Sequence, residues 1–257
     1  MLFEINFSRG RFGNKMYNLF YSLYFSNKLK DRVFFNPFGI SRFFDVKNKY
    51  QIKIHKSFRV INNTNFLEDN YQKNLIFKGG VLGDYFFKTK YDLRKNLTIK
   101  KSFTNKNRLS KEHLNVAIHF RGTDFFSWDK KSILPFEYYL KAIKSINKQN
   151  VKFYLYTDDS ELTSFKKVIN YLKSNDLSYD IGRSKSHFIL DFSEMANCDV
   201  LISTPSTFCI WAGILEKEKI IIQNKNWVNY RIENNDAFWK DCIFSNDSLN
   251  YKVDKLL

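Results

Sequence analysis

The chain has 257 residues, 44% hydrophobic and 26% charged, which is typical of a soluble globular protein with room for one large domain or two small ones. Its formal net charge of +16 predicts attraction to polyanions, whether nucleic acid, an anionic membrane face or phosphorylated small molecules. Because the basic residues are spread along the whole chain, a dedicated nucleic-acid-binding protein is not favoured.

The cysteines and the start of the chain bear on its compartment. Cys198, Cys209 and Cys242 have no redox or metal-ligand spacing, and any disulfide scheme would leave one of them unpaired. We therefore expect a reducing compartment. The chain starts without the charged and apolar blocks of a signal peptide, and no apolar run approaches the ~18 residues of a membrane span. These features predict a cytoplasmic protein.

The first half begins with a recognisable pattern and then becomes hard to interpret. Residues 2–7 alternate apolar and polar positions, which predicts a strand. Gly10 and Gly13 predict a turn, and apolar residues at helical spacing follow from Met16. Such a turn can cradle a phosphate or let strand and helix pack closely, and its spacing favours the second alternative. The polar segment 104–112 is the expected connection between two domains.

The second half alternates predicted strands with predicted helices. Pro135 can open a helix because its missing N–H would bond nothing at that position. Strands alternating with helices of this length predict a parallel sheet with crossover helices. Strands are expected at 116–120, 151–156, 200–203 and 219–222, and helices after Pro135, near Ser160 and over about 208–215.

Three polar side chains, Arg121, Asp158 and Ser206, directly follow predicted parallel strands. The carboxyl ends of such strands are where ligands bind in open α/β sheets. Arg121 offers a planar fork of donors that fits a phosphate, although alone it could form a salt bridge at the strand end. Ser206 and Thr207 could cap the next helix or bind an anion. Asp158 could accept hydrogen bonds from a ribose or base, or cap a helix near Ser160. Together they predict a nucleoside diphosphate site.

Other chemistries have little support in the sequence. His119 lies within a predicted strand and fits a buried core histidine as well as a ligand. Neither it nor His55, His113 or His187 has metal-ligand spacing, and no carboxylate pair at close spacing suggests a divalent metal. We therefore expect no metal cofactor. The patterns of hydrolases, P-loop kinases and dinucleotide-binding dehydrogenases are missing.

At these residues the chain resembles the bacterial α-1,2-fucosyltransferases, glycosyltransferase family 11, within a wider group of α-1,6- and protein O-fucosyltransferases. The resemblance covers most of the chain and is carried by motifs that occur in the family's order. Gly122 stands where the family has a second arginine, and Cys209 and Ile210 stand where it has serine and tryptophan. The matching segments are 10–16, 83–86, 119–124 with 134–139, 153–159 and 199–213.

The resemblance implies an α/β, GT-B-like architecture: two Rossmann-like domains with parallel sheets facing a cleft. Residues 1–110 would form the acceptor-side domain, and 111–257 would hold GDP-fucose. Arg121 would pair with the β-phosphate, Asp158 would contact the nucleoside, and Asn14 would face the sugar and the acceptor. The donor-site residues expected on this basis are His119, Arg121, Asp158, Ser206, Thr207, Gly10 and Gly13.

The implied reaction is inverting, metal-independent transfer of fucose to a glycan hydroxyl, expected to be a galactoside in α-1,2 linkage, during surface polysaccharide synthesis. A fixed cation at Arg121 would stabilise the charge that develops on departing GDP. A general base would deprotonate the acceptor hydroxyl. Asp124 is the first candidate for this base, followed by Asp84 and Glu194. A role in orienting Arg121 fits Asp124 better than the role of general base.

Two alternatives remain open. Because Gly122 replaces the second arginine of the family motif, the first alternative is a related transferase that uses another NDP-sugar. The charge and the 18% aromatic content motivate a non-catalytic protein that binds polyanions or nucleic acid, although no basic stripe with interleaved aromatics supports a nucleic-acid partner. The partners we expect are a GDP-sugar and a glycan or lipid-linked glycan acceptor. Peripheral contact with the anionic inner face of the cytoplasmic membrane would explain the charge.

Overall fold

The structure is a computed structural model that divides the chain into two compact units, Met1–Lys100 and Lys101–Leu257. The residues that the structure describes are 3–5, 11–16, 33–35, 43–46, 59–61, 75–77, 97–104, 108–128, 133–146, 148–182, 188–216 and 219–224.

The N-terminal unit contains a parallel sheet of short strands. Its strands are β1 (Phe3–Ile5), β2 (Val33–Phe35), β3 (Phe44–Val46), β4 (Arg59–Ile61), β5 (Leu75–Phe77) and β6 (Leu97–Ile99). Four of them form a sheet in the order β2-β1-β5-β4, in which every neighbouring pair is parallel. β3 and β6 form a separate antiparallel pair. The predicted first strand is confirmed as β1.

The predicted glycine turn is wrong for Gly13 and Asn14. Residues 12–16 are helical and are the described part of α1, and the Lys15 N–H donates to the Arg11 carbonyl at 3.1 Å. The Phe12 ring packs against the rings of Phe43 and Phe44, with centroids 6.1 and 6.2 Å away, so side-chain packing accompanies the helix start at this point. The remainder of the predicted turn, including Gly10, and the predicted helix beyond residue 16 lie outside the described residues.

The C-terminal unit is built on a five-stranded parallel sheet. Its strands are β7 (Leu114–Phe120), β8 (Val151–Thr157), β9 (Tyr179–Ile181), β10 (Val200–Ile202) and β11 (Ile220–Ile222). They lie in the order β11-β10-β7-β8-β9, and every pair is parallel. The four strands predicted for this half are confirmed, whereas β9 was not predicted.

Helices connect these strands. They are α2 (Phe125–Trp128), α3 (Phe136–Ser145), α4 (Thr163–Ser174), α5 (Phe188–Asn197) and α6 (Thr207–Ile214). The helix predicted after Pro135 is confirmed as α3, and Pro135 occupies its N-cap position in an extended conformation. The helix predicted near Ser160 begins later, at Thr163, and α5 was not predicted. Among the described residues, no helix has the length and apolar character needed to cross a membrane.

The two faces of the sheet are covered by different helices. Phe120 packs against Tyr139 of α3 and Phe165 of α4, with ring centroids 4.4 and 5.2 Å away. On the opposite face, the ring of Phe208 of α6 lies 5.2 Å from that of Phe192 of α5. Because neighbouring residues of a strand point to opposite faces, a central strand buried on both sides is apolar along its length. β7 is such a strand, apart from its two buried polar residues, Asn115 and His119.

The strand order fixes where a ligand can bind. From β7 the chain builds β8 and β9 on one side, and it then crosses over to build β10 and β11 on the other side. The order therefore reverses between β7 and β10. In open α/β sheets the crevice at the carboxyl ends of such strands is the usual ligand site. The loops after β7, β8 and β10 all open at this edge.

A buried ion pair joins the segment before β7 to the rest of the unit. Arg108 donates from Nη1 to Oε2 of Glu194 at 2.9 Å and from Nη2 to the carbonyl of Ile181. The hydroxyl of Tyr156 donates to the same Glu194 oxygen at 3.1 Å. Since the Glu194 side chain is fully buried, its charge depends on these partners.

We expect Arg108→Ala to lower the free energy of unfolding by about 3 kcal/mol, because the buried Glu194 carboxylate would lose its ion pair with this guanidinium. Urea denaturation of the purified protein measures this change. Lys166→Ala is the matched control, since it removes the exposed ion pair with Glu161 and should change stability by less than about 0.5 kcal/mol. Equal small effects of both substitutions would contradict the role given to Arg108.

Candidate functional site

Arg121 stands at the carboxyl end of β7 between two carboxylates. The register pairs Phe120 with Thr157, which brings the next residues, Arg121 and Asp158, side by side. Arg121 Nη1 is ion-paired with Asp158 Oδ2, and Nη2 lies 2.6 Å from Asp124 Oδ1. The predicted meeting of Arg121 and Asp158 at one edge of the sheet is confirmed.

Asp158 fixes both Arg121 and the loop that follows β7. Its Oδ1 accepts the Gly122 N–H at 2.8 Å, and its Oδ2 accepts the Thr123 hydroxyl at 2.6 Å. Burial alone would raise the pKa of Asp158, but these two hydrogen bonds and the charge of Arg121 outweigh it, so the pKa lies below its ordinary value. Asp158 is therefore ionised at neutral pH. It does not cap a helix, because α4 begins only at Thr163.

The loop after β7 turns sharply enough to bring Asp124 back to Arg121. Thr123 has φ 21°, at the edge of the left-handed region that β-branched residues rarely adopt. The Phe125 N–H donates to the Gly122 carbonyl at 2.8 Å, and the Phe125 ring lies 5.1 Å from the guanidinium carbon. The Arg121 side chain is only 14% exposed, and its Nε has no hydrogen-bond partner among the described residues. The cation is thus enclosed and oriented.

Gly122 occupies the position of the second arginine of the fucosyltransferase motif, and the structure gives a steric reason for glycine. A Cβ added there would lie 2.8 Å from the Cβ of Asp159 and 2.9 Å from its Oδ2, closer than real Cβ atoms approach. Asp159 is held by its N–H, which donates to Thr157 Oγ1 at 3.0 Å, and by its Oδ1, which accepts the Glu161 N–H at 3.0 Å. No side chain fits at residue 122 while Asp159 keeps this place.

His119 links β7 to the loop after β10. Its Nδ1 is joined by a hydrogen bond of 2.6 Å to Thr204 Oγ1, and its ring centroid lies 5.8 Å from that of Phe208. Burial, assisted by the charge of Arg121, lowers the pKa of His119 to about 4. The imidazole is therefore neutral at pH 7 and adds no positive charge for a phosphate. His119 is thus buried and hydrogen-bonded, and its contact with a donor stays a prediction.

Ser206 and Thr207 lie where α6 begins. Ser206 is buried and occupies the N-cap position in an extended conformation, but its side chain makes no capping hydrogen bond. The simple N-cap alternative is therefore wrong for its hydroxyl. The Tyr138 hydroxyl donates to the carbonyls of Ser203 at 2.8 Å and Ile222 at 2.9 Å, which holds this loop against β11. The first amides of a helix favour an anion.

Other predicted residues lie in other parts of the chain. Gly13 and Asn14 belong to the N-terminal unit, and Gly10 and Asp84 lie outside the described residues. Glu194 is wrong as a general base, because its buried carboxylate is bound to Arg108 and Tyr156. Among the described residues, no group of three or more histidine, cysteine, aspartate or glutamate side chains is placed to hold a metal ion.

Sequence reasoning missed two threonines of the site, Thr123 and Thr204. Thr123 binds Asp158, and Thr204 binds His119. Each stands in the loop that follows a predicted strand, which is the signal that identified Arg121. The same positional argument could therefore have found both threonines.

The fold and the site together define a class of protein. Two α/β units, each with a parallel sheet, are the architecture of GT-B-like glycosyltransferases. The chain belongs to glycosyl transferase family 11, whose model matches residues 1–246. It is a glycosyltransferase, and the family resemblance seen in the sequence is confirmed.

Solved structures show the same fold. A crystal structure of NodZ α-1,6-fucosyltransferase soaked with GDP-fucose is 14% identical, has a TM-score of 0.57, and the match covers 86% of this chain and 94% of that one. Fucosyltransferase NodZ from Bradyrhizobium, in a selenomethionine form, has a TM-score of 0.56 with the same identity and coverage. NodZ co-crystallized with GDP, also 14% identical, has a TM-score of 0.56, covering 87% and 95%. Among curated protein sequences, none matches this chain.

We expect His119 to make stability depend on pH. Its pKa of about 4 in the folded protein lies below the ordinary 6.5, so protons favour the unfolded chain. The stability it contributes is complete above pH 6.5 and is lost as the pH falls through that value towards 4.

Urea denaturation at pH 7 and pH 4.5 measures this loss of stability. In the matched His119→Asn variant the loss between the two pH values should be smaller than in the wild type by about 1–3 kcal/mol. The carboxylates, including Asp158, remain in both proteins, so their contributions largely cancel in the comparison. An equal loss in both proteins would contradict the neutral, buried histidine.

Proposed function

We propose that this glycosyltransferase moves fucose from GDP-fucose to a hydroxyl of a glycan acceptor, with inversion at the anomeric carbon. The observation that carries the proposal is the enclosed Arg121 at the carboxyl end of β7, beside the reversal of strand order. Membership of family 11 and a fold shared with NodZ, whose crystals were soaked with GDP-fucose, support the choice of donor.

Arg121 stabilises the leaving diphosphate in this mechanism. As the bond between C1 and the β-phosphate oxygen breaks, negative charge grows on that oxygen and positive charge on the sugar. A cation acts more strongly in an enclosed site than in water, and Arg121 is only 14% exposed. Because Asp158 already orients the guanidinium, little reorganisation is needed during the reaction. The acceptor hydroxyl attacks C1 from the opposite side and gives up its proton.

The beginning of α6 supplies a second place for the diphosphate. The amides of its first turn and the hydroxyls of Ser206 and Thr207 suit an anion at the edge of the sheet where Arg121 lies. Tyr138 holds the loop before α6 from one side, and His119 holds it through Thr204. In this proposal, residues on the loops after β7 and β10 bind a single diphosphate, and Asp158 on the loop after β8 orients Arg121.

The finer features of the proposal follow from the family resemblance and the charge. The acceptor is a galactoside in α-1,2 linkage, within a surface polysaccharide or its lipid-linked precursor. Arg121 and the first amides of α6 supply hydrogen-bond donors for the diphosphate, and the transfer in this proposal uses no metal. The net charge of +16 supports a cytoplasmic enzyme that contacts the anionic inner membrane face peripherally.

We expect calorimetric titration without added metal to show that the protein binds GDP in preference to UDP, ADP and CMP. Arg121→Ala should weaken GDP binding and lower the rate of fucose transfer to a β-galactoside by about 10²–10³-fold, because the developing charge loses its cation. Lys152→Ala is the matched control, since Lys152 pairs with Asp180 at 2.8 Å on β8 and β9.

The outcomes of this titration separate the alternatives. Selective GDP binding that is weakened in Arg121→Ala and kept in Lys152→Ala supports the proposal. Selective binding of UDP instead would favour a relative that uses another NDP-sugar. A protein that binds none of the four nucleotides would contradict the proposed function.

A further inference from the structure

The charge around Arg121 does not favour a diphosphate as the site stands. One guanidinium faces two carboxylates, Asp158 at Nη1 and Asp124 at Nη2. Together these three side chains carry a net charge of −1. An incoming diphosphate is itself an anion, so it has to compete with a carboxylate for the donors of Arg121.

The two carboxylates differ in how firmly they are held. Asp158 is 19% exposed and accepts hydrogen bonds from Gly122 and Thr123 in addition to its contact with Arg121. Asp124 is 36% exposed and approaches Arg121 from a turn three residues further along the same loop, where its Oδ1 also lies 3.2 Å from the Thr123 hydroxyl. The Nη2 end of the guanidinium is therefore the end paired with the more exposed carboxylate.

Asp124 can leave Arg121 without disturbing the backbone. Its carbonyl accepts the Ser127 N–H at 3.2 Å and the Ser127 hydroxyl at 2.9 Å, which fixes the main chain at the beginning of α2. With the backbone fixed in this way, rotation about the side-chain bonds of Asp124 would move its carboxylate off Nη2. Such rotamer changes in exposed side chains take picoseconds to nanoseconds.

We propose that the Asp124 carboxylate occupies the phosphate-binding end of Arg121 in the free enzyme, and that the donor diphosphate displaces it while Asp158 remains in place. This inference rests on the proposed function, because it takes the ligand to be a nucleoside diphosphate. The Asp124 carboxylate keeps Arg121 paired and oriented when the site is empty. After transfer it competes with the GDP product for Arg121 and so favours product release.

The alternative role for Asp124 predicts the opposite sign. If Asp124 only positions Arg121 for the phosphate, then neutralising its side chain should weaken GDP binding. If it competes with the phosphate, then neutralisation should tighten GDP binding. The direction of the change therefore separates the two roles.

The experiment is calorimetric titration of GDP into the full-length wild type, Asp124→Asn, Asp158→Asn and Asp180→Asn at one ionic strength. We expect Asp124→Asn to bind GDP about 3–10-fold more tightly, as removal of one competing ion pair allows. Asp158→Asn should bind more weakly, because Arg121 loses its fixed partner. Asp180→Asn is the matched control: it removes a similarly exposed carboxylate, 40% against 36%, that pairs with Lys152, and GDP affinity should not change.

Unchanged or weaker GDP binding by Asp124→Asn overturns the inference and leaves the proposed function standing. Equal tightening in Asp180→Asn also overturns it, because the effect would then come from net charge. A wild type that does not bind GDP overturns the proposed function and this inference with it.

A crystal structure of the wild-type complex with GDP tests the same exchange without a variant. We expect Asp124 Oδ1 to lie more than about 4 Å from Arg121 Nη2, beyond ion-pair distance, with a phosphate oxygen in its place. The pair of Arg121 with Asp158 should remain. A retained contact between Asp124 and Nη2 overturns the inference whatever the affinities of the variants.

Discussion

The parallel pairing of β7 with its two neighbours is the constraint on which the site depends. Ile118 lies opposite Ile202 of β10, and Phe120 lies opposite Thr157 of β8, so the loops after all three strands open at one edge. Because β8 and β10 flank β7, Arg121 directly after β7 binds Asp158 after β8, and His119 near the end of β7 binds Thr204 after β10. A shift of one residue in this register would separate both pairs.

The need to balance the charge of Arg121 explains which residues surround it at this edge of the sheet. Enclosing a guanidinium removes it from water, which is costly unless carboxylates and further hydrogen bonds offset the loss. Asp158 provides this compensation and is itself held by Gly122 and Thr123. Asp159 lies so close to Gly122 that no side chain fits there, so the site has one arginine where the family motif has two. In the part of the chain that the structure describes, the guanidinium of Arg121 then has to serve both the free enzyme and the bound diphosphate.

Much of the C-terminal unit could be predicted, because β7, β8, β10 and β11 are apolar runs that end at polar loop residues. β9 has only three residues, none of them buried, and therefore shows no such run. α5 was missed because most of it is buried, including Glu194, whose partner Arg108 lies 86 residues away. Position after a strand identified Arg121 and Asp158. The turn that brings Asp124 back to Arg121 depends on the unusual φ of Thr123, which no sequence pattern shows.

Hydrogen–deuterium exchange with and without GDP tests most directly the claim that this edge of the sheet binds a nucleoside diphosphate. Peptides covering 119–128 and 203–211 should exchange more slowly when GDP is bound, because the loops after β7 and β10 would be ordered by the ligand. The outer helix α4 serves as the internal reference and should exchange unchanged. Protection confined to other segments, with 119–128 and 203–211 unaffected, would place the nucleotide elsewhere and contradict the central claim.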